Sequence, residues 1–204
     1  MFYETANGHG LPHDPFKAIV VPRPIGWIST RSKSGAINLS PYSYFNAISD
    51  NPHLVIFSSS GHKDSVAYIE ETGEFAANLV SGNLREKMNA SSVNAPRGVS
   101  EFDYAGLTPA ACRLIGAPRV AEAYAVLECV VTDIRVPKDR HGKPSGNFLV
   151  TGEVVGIHID EAILTDGLID TRKAQPVSRL GYMDYATVSD VYQMWRPRWD
   201  ESKG

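Results

Sequence analysis

Short apolar runs rich in β-branched residues recur along the chain and are separated by turn-forming residues. The two longest runs, residues 125–136 and 147–159, are predicted to form strands. The segment 137–146 between them is charged and rich in turn formers, so it is predicted to be an exposed hairpin loop. Shorter strands are predicted at residues 18–21, 26–30, 43–49, 53–58 and 75–80.

Two segments show helical spacing instead. Residues 63–71 place Val66 and Ile69 three apart, and Gly73 follows as a residue suited to end a helix in the left-handed conformation. Residues 83–90 place two apolar side chains four apart, again on one helix face. Strands spaced by turns, with two short helices inserted, predict a mainly β barrel with helical excursions and not a doubly wound sheet.

Composition is that of an ordinary globular domain. The chain has 204 residues, of which 43% are hydrophobic and 21% charged, so a single domain over residues 1–204 is predicted. The net charge of −3 argues against a nucleic-acid partner, because duplex-binding domains usually carry a basic excess. No stretch approaches the ~20 apolar residues of a membrane span, and the N-terminus shows no secretory signal, so no membrane association is expected.

Cysteine usage is low. Cys112 and Cys129 are too few for a disulfide framework or a four-sulfur metal site. A cytoplasmic location is therefore predicted, and both thiols are interpreted as small buried apolar groups.

The C-terminal residues, from about 186 to 204, are interpreted as a tail on this domain. Within it, residues 192–199 are aromatic and basic, with Tyr192, Trp195 and Trp199 among them. Left in water, such a run would expose a large apolar patch, so it is predicted to dock on the body or on a second subunit.

Familiar catalytic motifs are missing from the sequence. The glycines of residues 8–10 precede any predicted strand and lack the third glycine of a dinucleotide fingerprint. His9 and His13 have a metal-ligand spacing, but Pro12 interrupts any helix there and no second cluster follows, so no metal is predicted. His158, alone in a strand, is interpreted as structural, and no catalytic side chain is predicted.

One local pattern points to anion binding. Residues 58–65 follow an apolar strand, open a helix and combine serine hydroxyls with Gly61 and Lys63. The free N–H groups and positive dipole end of a helix N-terminus suit a phosphate, and Lys63 would add a charge. The alternative is simple N-capping of the helix by Asp64 or Ser65 without a ligand.

Two further segments could flank a flat ring. Residues 40–46 alternate aromatic and small polar side chains, so that Ser43, Phe45 and Asn46 could edge a ring system, although a half-buried strand would look the same. Residues 23–30 place Arg23 between two prolines and end in two hydroxyls, and an ordinary strand explains them equally well.

These segments belong to a wider pattern. It includes residues 22–30, 38–46, 63–65, 70–75, 88–90, 101–102, 105–109, 118–122, 127–129, 152–155 and 176–181. In combination they resemble the flavin reductase-like family, and more closely its branch associated with flavoprotein oxygenases. The resemblance covers roughly residues 15–185, and its specificity lies in the combination, since each piece alone is weak.

The resemblance implies a split β-barrel that binds FMN noncovalently and forms a homodimer, with the cofactor near the subunit interface. Matching segments imply a phosphate-side loop containing Ser58, Ser60, Lys63, Asp64 and Ser65. Residues implied to flank the ribityl chain and isoalloxazine are Trp27, Ile28, Ser29, Thr30, Ser43, Tyr44, Phe45 and Asn46, with Asn78, Arg179 and Arg23 as further contacts.

The resemblance also implies a flavin-dependent oxidoreductase. Hydride from NAD(P)H would arrive at flavin N5, a step that needs no proton-donating side chain, and an oxygenase is a candidate partner. Two alternatives stay open: an FMN-binding or electron-transfer module without turnover, and a split barrel that uses another phosphorylated cofactor such as pyridoxal phosphate.

Overall fold

A curled antiparallel sheet of seven strands forms the body of the protein, whose computed structural model describes residues 1–200. The strands are β1 (Arg23–Pro24), β2 (Gly26–Arg31), β3 (Ile37–Tyr42), β4 (Phe45–Asp50), β5 (His53–Ser60), β6 (Glu74–Asn78), β7 (Pro109–Ala110), β8 (Arg119–Val120), β9 (Ala125–Arg135), β10 (Asn147–Ile159), β11 (Leu164–Thr165), β12 (Leu168–Ile169), β13 (Val177–Arg179) and β14 (Tyr185–Thr187). The α-helices are α1 (Phe16–Ile19), α2 (Asp64–Thr72), α3 (Arg85–Ala90), α4 (Glu101–Tyr104) and α5 (Thr171–Ala174), with 3-10 turns at Thr5–Asn7, Gly82–Leu84 and Glu161–Ile163.

The order of strands in the large sheet explains its curl. The order is β3-β2-β6-β9-β10-β5-β4, with every neighbouring pair antiparallel. Strands β3 and β4 therefore lie at opposite edges, although only Ser43 and Tyr44 separate them in the chain. The sheet must curl until its two edges approach each other at this corner. A small sheet of β1, β13 and β14 brings the C-terminal segment alongside.

The strongest local patterns of the sequence are confirmed. The two long strands pair as β9 and β10 around an exposed loop, and helix α2 spans Asp64–Thr72. Gly73 ends that helix with φ 73°, and its N–H donates to the Ile69 carbonyl. Residues 83–90 form a 3-10 turn followed by α3. Among residues 1–200, no helix combines the length and the apolar character required to cross a membrane.

One predicted strand does not form, and the interpretation of residues 40–46 as one alternating strand is also wrong; the strand predicted at residues 43–49 forms as β4 from Phe45 onward. Residues 18–21 do not join a sheet, because the amides of Ala18 and Ile19 donate to the Pro15 carbonyl and the chain forms α1 there. Residues 40–46 are not one strand, because β3 ends at Tyr42 and β4 begins only at Phe45. Residues 43–44 form a corner at which the chain passes from one edge of the sheet, β3, to the other edge, β4.

Apolar side chains cover both faces of the sheet. Trp27 and Ile28 are adjacent on β2, are both fully buried and point to opposite faces. Trp27 belongs to a cluster with Met88 and Phe102, whereas Ile28 belongs to one with Phe57, Phe75, Cys129 and Val150. The interpretation of Cys129 as a buried apolar group is confirmed, but Cys112 is only partly buried.

From Tyr192 onward the described part of the C-terminal tail is exposed, whereas residues 186–187 belong to β14 and the Val188 N–H donates to the Pro176 carbonyl. Tyr192, Met194, Trp195 and Trp199 are each at least 81% exposed. The aromatic run therefore does not pack on the body of its own chain, and one of the two predicted docking places is not used. Residues 201–204 of the predicted tail lie outside the described residues.

Candidate functional site

Three adjoining cavities form a groove that we call the Lys63–Arg179 groove. The cavity at the Lys63 end has a volume of about 230 Å³, the middle one about 300 Å³ and the one at the Arg179 end about 540 Å³. Pro41 and Ser92 line both the first and the middle cavity. Met88 and Arg179 line both the middle cavity and the third. The volumes and the mixed lining are those of a small-molecule site.

The Lys63 end is built on the start of helix α2. Lys63 is the N-cap residue, with extended φ −87° and ψ 175°, and no side chain caps the helix. The Ser65 hydroxyl instead donates to Asn38 Oδ1 at 2.6 Å. Lys63, Asp64 and Ser65 all line the cavity. The simple N-capping alternative is therefore not what the structure shows, and the first turn keeps donors and a positive dipole end for an anion.

Two carboxyl groups moderate the charge at this end. Asp64 pairs with Arg97, whose Nε lies 3.0 Å from Oδ1. Glu101 is 5% exposed, and its Oε2 accepts from Asn38 Nδ2 and the Leu39 N–H, both at 3.0 Å. Burial raises the pKa of Glu101 and so favours its neutral form. Anion binding here would depend on the helix start and Lys63 and not on an overall positive field.

The Arg179 end supplies a fixed cation beside apolar walls. The Arg179 guanidinium lies 4.5 Å from the centroid of the Tyr185 ring, and Nη1 donates to the Tyr185 hydroxyl at 2.5 Å. Nη2 also donates to the Tyr182 carbonyl. Ile25 and Met88 contribute apolar surface to the adjoining middle cavity. Such an arrangement suits a flat, polarisable ring system that carries negative charge at one edge.

Trp27 supports the groove from behind and does not line it. Its indole N–H donates to Ser91 Oγ at 2.9 Å, and Ser91 Oγ donates to the Met88 carbonyl at 2.8 Å. Both Trp27 and Ser91 are fully buried. Because Met88 and Ser92 flank this contact and line the groove, the indole fixes the position of the wall.

Asn78 and Ser29, both implied as cofactor contacts, form an internal network. Asn78 Nδ2 donates to the Trp27 carbonyl at 2.8 Å and to Ser29 Oγ at 3.0 Å. Its Oδ1 accepts from the Val120 N–H at 2.8 Å. Both side chains are buried and tie β2 and β6 to β8. Of the residues implied by the resemblance, those that line the groove are Ser43, Lys63, Asp64, Ser65 and Arg179.

The remaining implied residues lie elsewhere. Arg23 is buried, and its guanidinium donates to the carbonyls of Lys17, Val20 and Leu180 at 2.5, 2.6 and 2.8 Å, so it anchors the chain near β1. Phe45, together with Asn78, lines a fourth, apolar cavity of about 390 Å³, which shares Ile25 with the middle cavity of the groove. Ile28 and Thr30 are fully buried, Ser58 is half-buried, and Tyr44, Asn46 and Ser60 are exposed outside the three cavities.

Several groove residues were not singled out from the sequence. The loop after α3 contributes Ser92 and Asn94, and β3 contributes Tyr42, whose pKa is raised by burial so that its hydroxyl stays a donor. Tyr185 comes from β14. The serine- and asparagine-rich run at 91–94 was the available signal, because such a polar run directly after a helix is rich in hydrogen-bonding groups.

Comparison with known proteins gives a consistent result. Residues 18–178 match the model of the flavin reductase like domain. An uncharacterized protein of Aquifex aeolicus is 37% identical over 169 residues, 80% of this chain and 83% of that protein. Nitrilotriacetate monooxygenase component B from Bacillus cereus is similar over 95% of this chain and 98% of its own, with 29% identity and a TM-score of 0.85.

A second solved structure bears on the fold. A protein with a split barrel domain from Shewanella frigidimarina is similar over 89% of both chains, with 24% identity and a TM-score of 0.79. The expected fold class, a mainly β split barrel with short helices, is confirmed.

Proposed function

The chain belongs to the flavin reductase-like family, and from that premise we propose that it binds FMN in the Lys63–Arg179 groove and acts as an FMN-dependent oxidoreductase. One observation carries the proposal. A single groove joins a helix start that no side chain caps, at Lys63, to a fixed cation beside apolar walls, at Arg179. FMN has a phosphate at one end and a flat ring system at the other, so its chemistry matches both ends.

The residues of the groove take distinct roles in this proposal. Lys63 and the first amides of α2 would hold the phosphate. Met88 and Pro41 would contact the ring system, and Arg179 would stabilise negative charge at its edge. Bound FMN would supply the redox chemistry, which is hydride transfer from NAD(P)H and passage of the electrons to an acceptor. The chain itself binds, orients and provides charge, and no side chain has to transfer a proton in the hydride step.

We also propose a homodimer in the cytoplasm, with an oxygenase as a candidate partner. Val155, Ile157 and Ile159 form an exposed apolar row on β10, at 38%, 55% and 44% exposure, which supports a self-association surface.

The similarity to a monooxygenase component B supports the oxygenase partner. Both cysteines are free, in keeping with a reducing compartment.

A visible absorption spectrum of the purified protein, before and after incubation with FMN and desalting, tests the cofactor. Retained flavin bands, or quenching of FMN fluorescence in a titration, would support binding, and anaerobic addition of NADH or NADPH should then bleach the bands. Flavin that binds but is never reduced would contradict the enzyme and favour an electron-transfer module. Failure to bind FMN, with binding of pyridoxal phosphate instead, would favour another phosphorylated cofactor.

A further inference from the structure

A second cluster of reactive side chains lies outside the Lys63–Arg179 groove. Cys112, Glu128 and His158 each present one ligand atom, and the sulfur, carboxylate oxygen and imidazole nitrogen all lie within 4.8 Å of one another. Glu128 and His158 also line a cavity of about 550 Å³. The proposed flavin chemistry uses none of these three residues.

The pairing of β9 and β10 brings two of the three together. Glu128 lies opposite Gly156, and His158 is two residues further along the same face, next to an irregularity in register between Val154 and Gly156. Nε2 of His158 is hydrogen-bonded to Oε1 of Glu128. A Cβ at Gly156 would lie 3.3 Å from Leu114 and 3.4 Å from the Glu128 carboxyl carbon, so glycine leaves room for the carboxylate.

The same carboxylate positions the cysteine. The amides of Arg113 and Leu114 donate to Glu128 Oε1 and Oε2 at 2.8 and 2.7 Å, which holds the loop that contains Cys112 against β9. Burial alone would raise the pKa of Glu128, but the hydrogen bonds from Arg113, Leu114 and His158 hold it below its ordinary value. The side chain is 1% exposed and ionised, which makes it a strong ligand for a cation.

The thiol by itself is unreactive. Burial and the neighbouring charge of Glu128 raise the pKa of Cys112 to about 12, although Arg119 works in the opposite direction. A protonated thiol is a poor nucleophile, so the cluster is not arranged as a cysteine–histidine catalytic pair. A metal ion reverses this situation, because coordination deprotonates a thiol outright.

We propose that Cys112, Glu128 and His158 bind a divalent cation of the zinc class and leave a fourth coordination position open towards the adjoining cavity. Thiolate, imidazole and carboxylate together are the ligand set that Zn²⁺ accepts, and three protein ligands with one open position is a common form of zinc site. Ligand atoms around tetrahedral zinc are separated by roughly 3–4 Å. The three ligand atoms here lie within 4.8 Å of one another, so side-chain movements would have to bring them to that spacing around the ion.

The binding step conserves charge and atoms without any redox reagent. The Cys112 thiol loses its proton to solvent and the thiolate binds the ion, while His158 gives up its hydrogen bond to Glu128 and binds the ion through the unprotonated Nε2 of its Nδ1–H tautomer.

Titration of the reduced, chelator-stripped full chain with Zn²⁺ against a chromogenic chelator tests the site. We expect one ion per chain, and substitution of a ligand in Cys112→Ser or His158→Gln should weaken binding by at least about 100-fold, more than the usual effect of changing an outer-shell partner. Cys129→Ser and His62→Gln are matched controls, because Cys129 is buried in the core and His62 is exposed beside α2. Both controls should bind as the wild type does.

Co²⁺ loading of the wild type provides a second readout that does not require a ligand variant to fold. A thiolate-to-cobalt charge-transfer band in the wild type, kept in Cys129→Ser, would support ligation by Cys112. A wild type without that band, or with no stoichiometric Zn²⁺, would overturn the proposal. Equal Zn²⁺ affinity in wild type, Cys112→Ser and His158→Gln would also overturn it and would leave the cluster as an anchor for the loop at residues 111–116.

Discussion

Lys63 is the groove residue whose role is easiest to isolate, because FMN carries a phosphate that it can contact and riboflavin does not. Replacing Lys63 with Gln removes a charge-assisted contact to that phosphate, which should weaken FMN binding roughly 10-fold. Riboflavin affinity should not change. Fluorescence quenching titrations with both ligands measure the difference.

The matched control is Lys143→Gln, which removes a charge from the exposed β9–β10 loop and outside the groove lining. It should leave both affinities unchanged. An equal loss for FMN and riboflavin in Lys63→Gln would show that the lysine does not contact the phosphate.

Glu101 gives the protein a pH dependence with a definite sign. Burial raises its pKa above the ordinary 4.5, so the folded state holds a proton over a range of pH where the unfolded state has released it. The free energy of unfolding should therefore fall as pH rises through this range. Glu101→Gln can still accept from Asn38 and Leu39 and should lose this component. Urea unfolding from about pH 4 to about pH 8 measures both profiles, and parallel profiles would contradict the assignment.

At the level of elements, helices and strands could be predicted from local sequence patterns. Contacts between residues far apart in the chain could not. Helix α2 followed from residues close together in sequence, and so did the hypothesis of an anion site at Lys63. The corner at residues 43–44 depends on the curl of the whole sheet. The alternation of apolar and polar residues in one strand does not predict that curl. The Trp27–Ser91 contact joins residues 64 positions apart, and only folding shows that this tryptophan supports the groove wall instead of contacting a ligand.

The contact between β6 and β10 depends on a glycine. A Cβ at Gly152 would lie 2.5 Å from Cε1 of Phe75, a fully buried and rigid ring, so a side chain there must displace the core. Gly152→Ala should lower the free energy of unfolding by about 1–3 kcal/mol. Glu153→Ala, at the next and exposed position of the same strand, should change it by less than about 0.5 kcal/mol. Urea denaturation compares the two, and equal stability of Gly152→Ala and wild type would contradict the close packing.

At the scale of the whole molecule, the exposed row on β10 should hold two chains together. Ile157 lies at the centre of this row and is 55% exposed. A carboxylate at this position would have to be buried without a partner in any interface that uses the row. Ile157→Asp should therefore sediment as a monomer at concentrations where the wild type is a dimer. Leu168→Asp, at a 72% exposed apolar position on β12, is the matched control and should remain dimeric. A monomeric wild type would remove the basis of the dimer proposal.

The aromatic tail should respond to the same association. Trp195 and Trp199 are 89% and 82% exposed in the single chain, whereas Trp27 is fully buried. If the tail packs on the partner subunit, dimer formation should shift tryptophan emission to shorter wavelength, and Ile157→Asp should show the emission of solvated indoles. A chain ended at Val191 lacks both tail tryptophans and should dimerise more weakly without that shift. Dimers of unchanged affinity after this truncation would show that the tail takes no part in the interface.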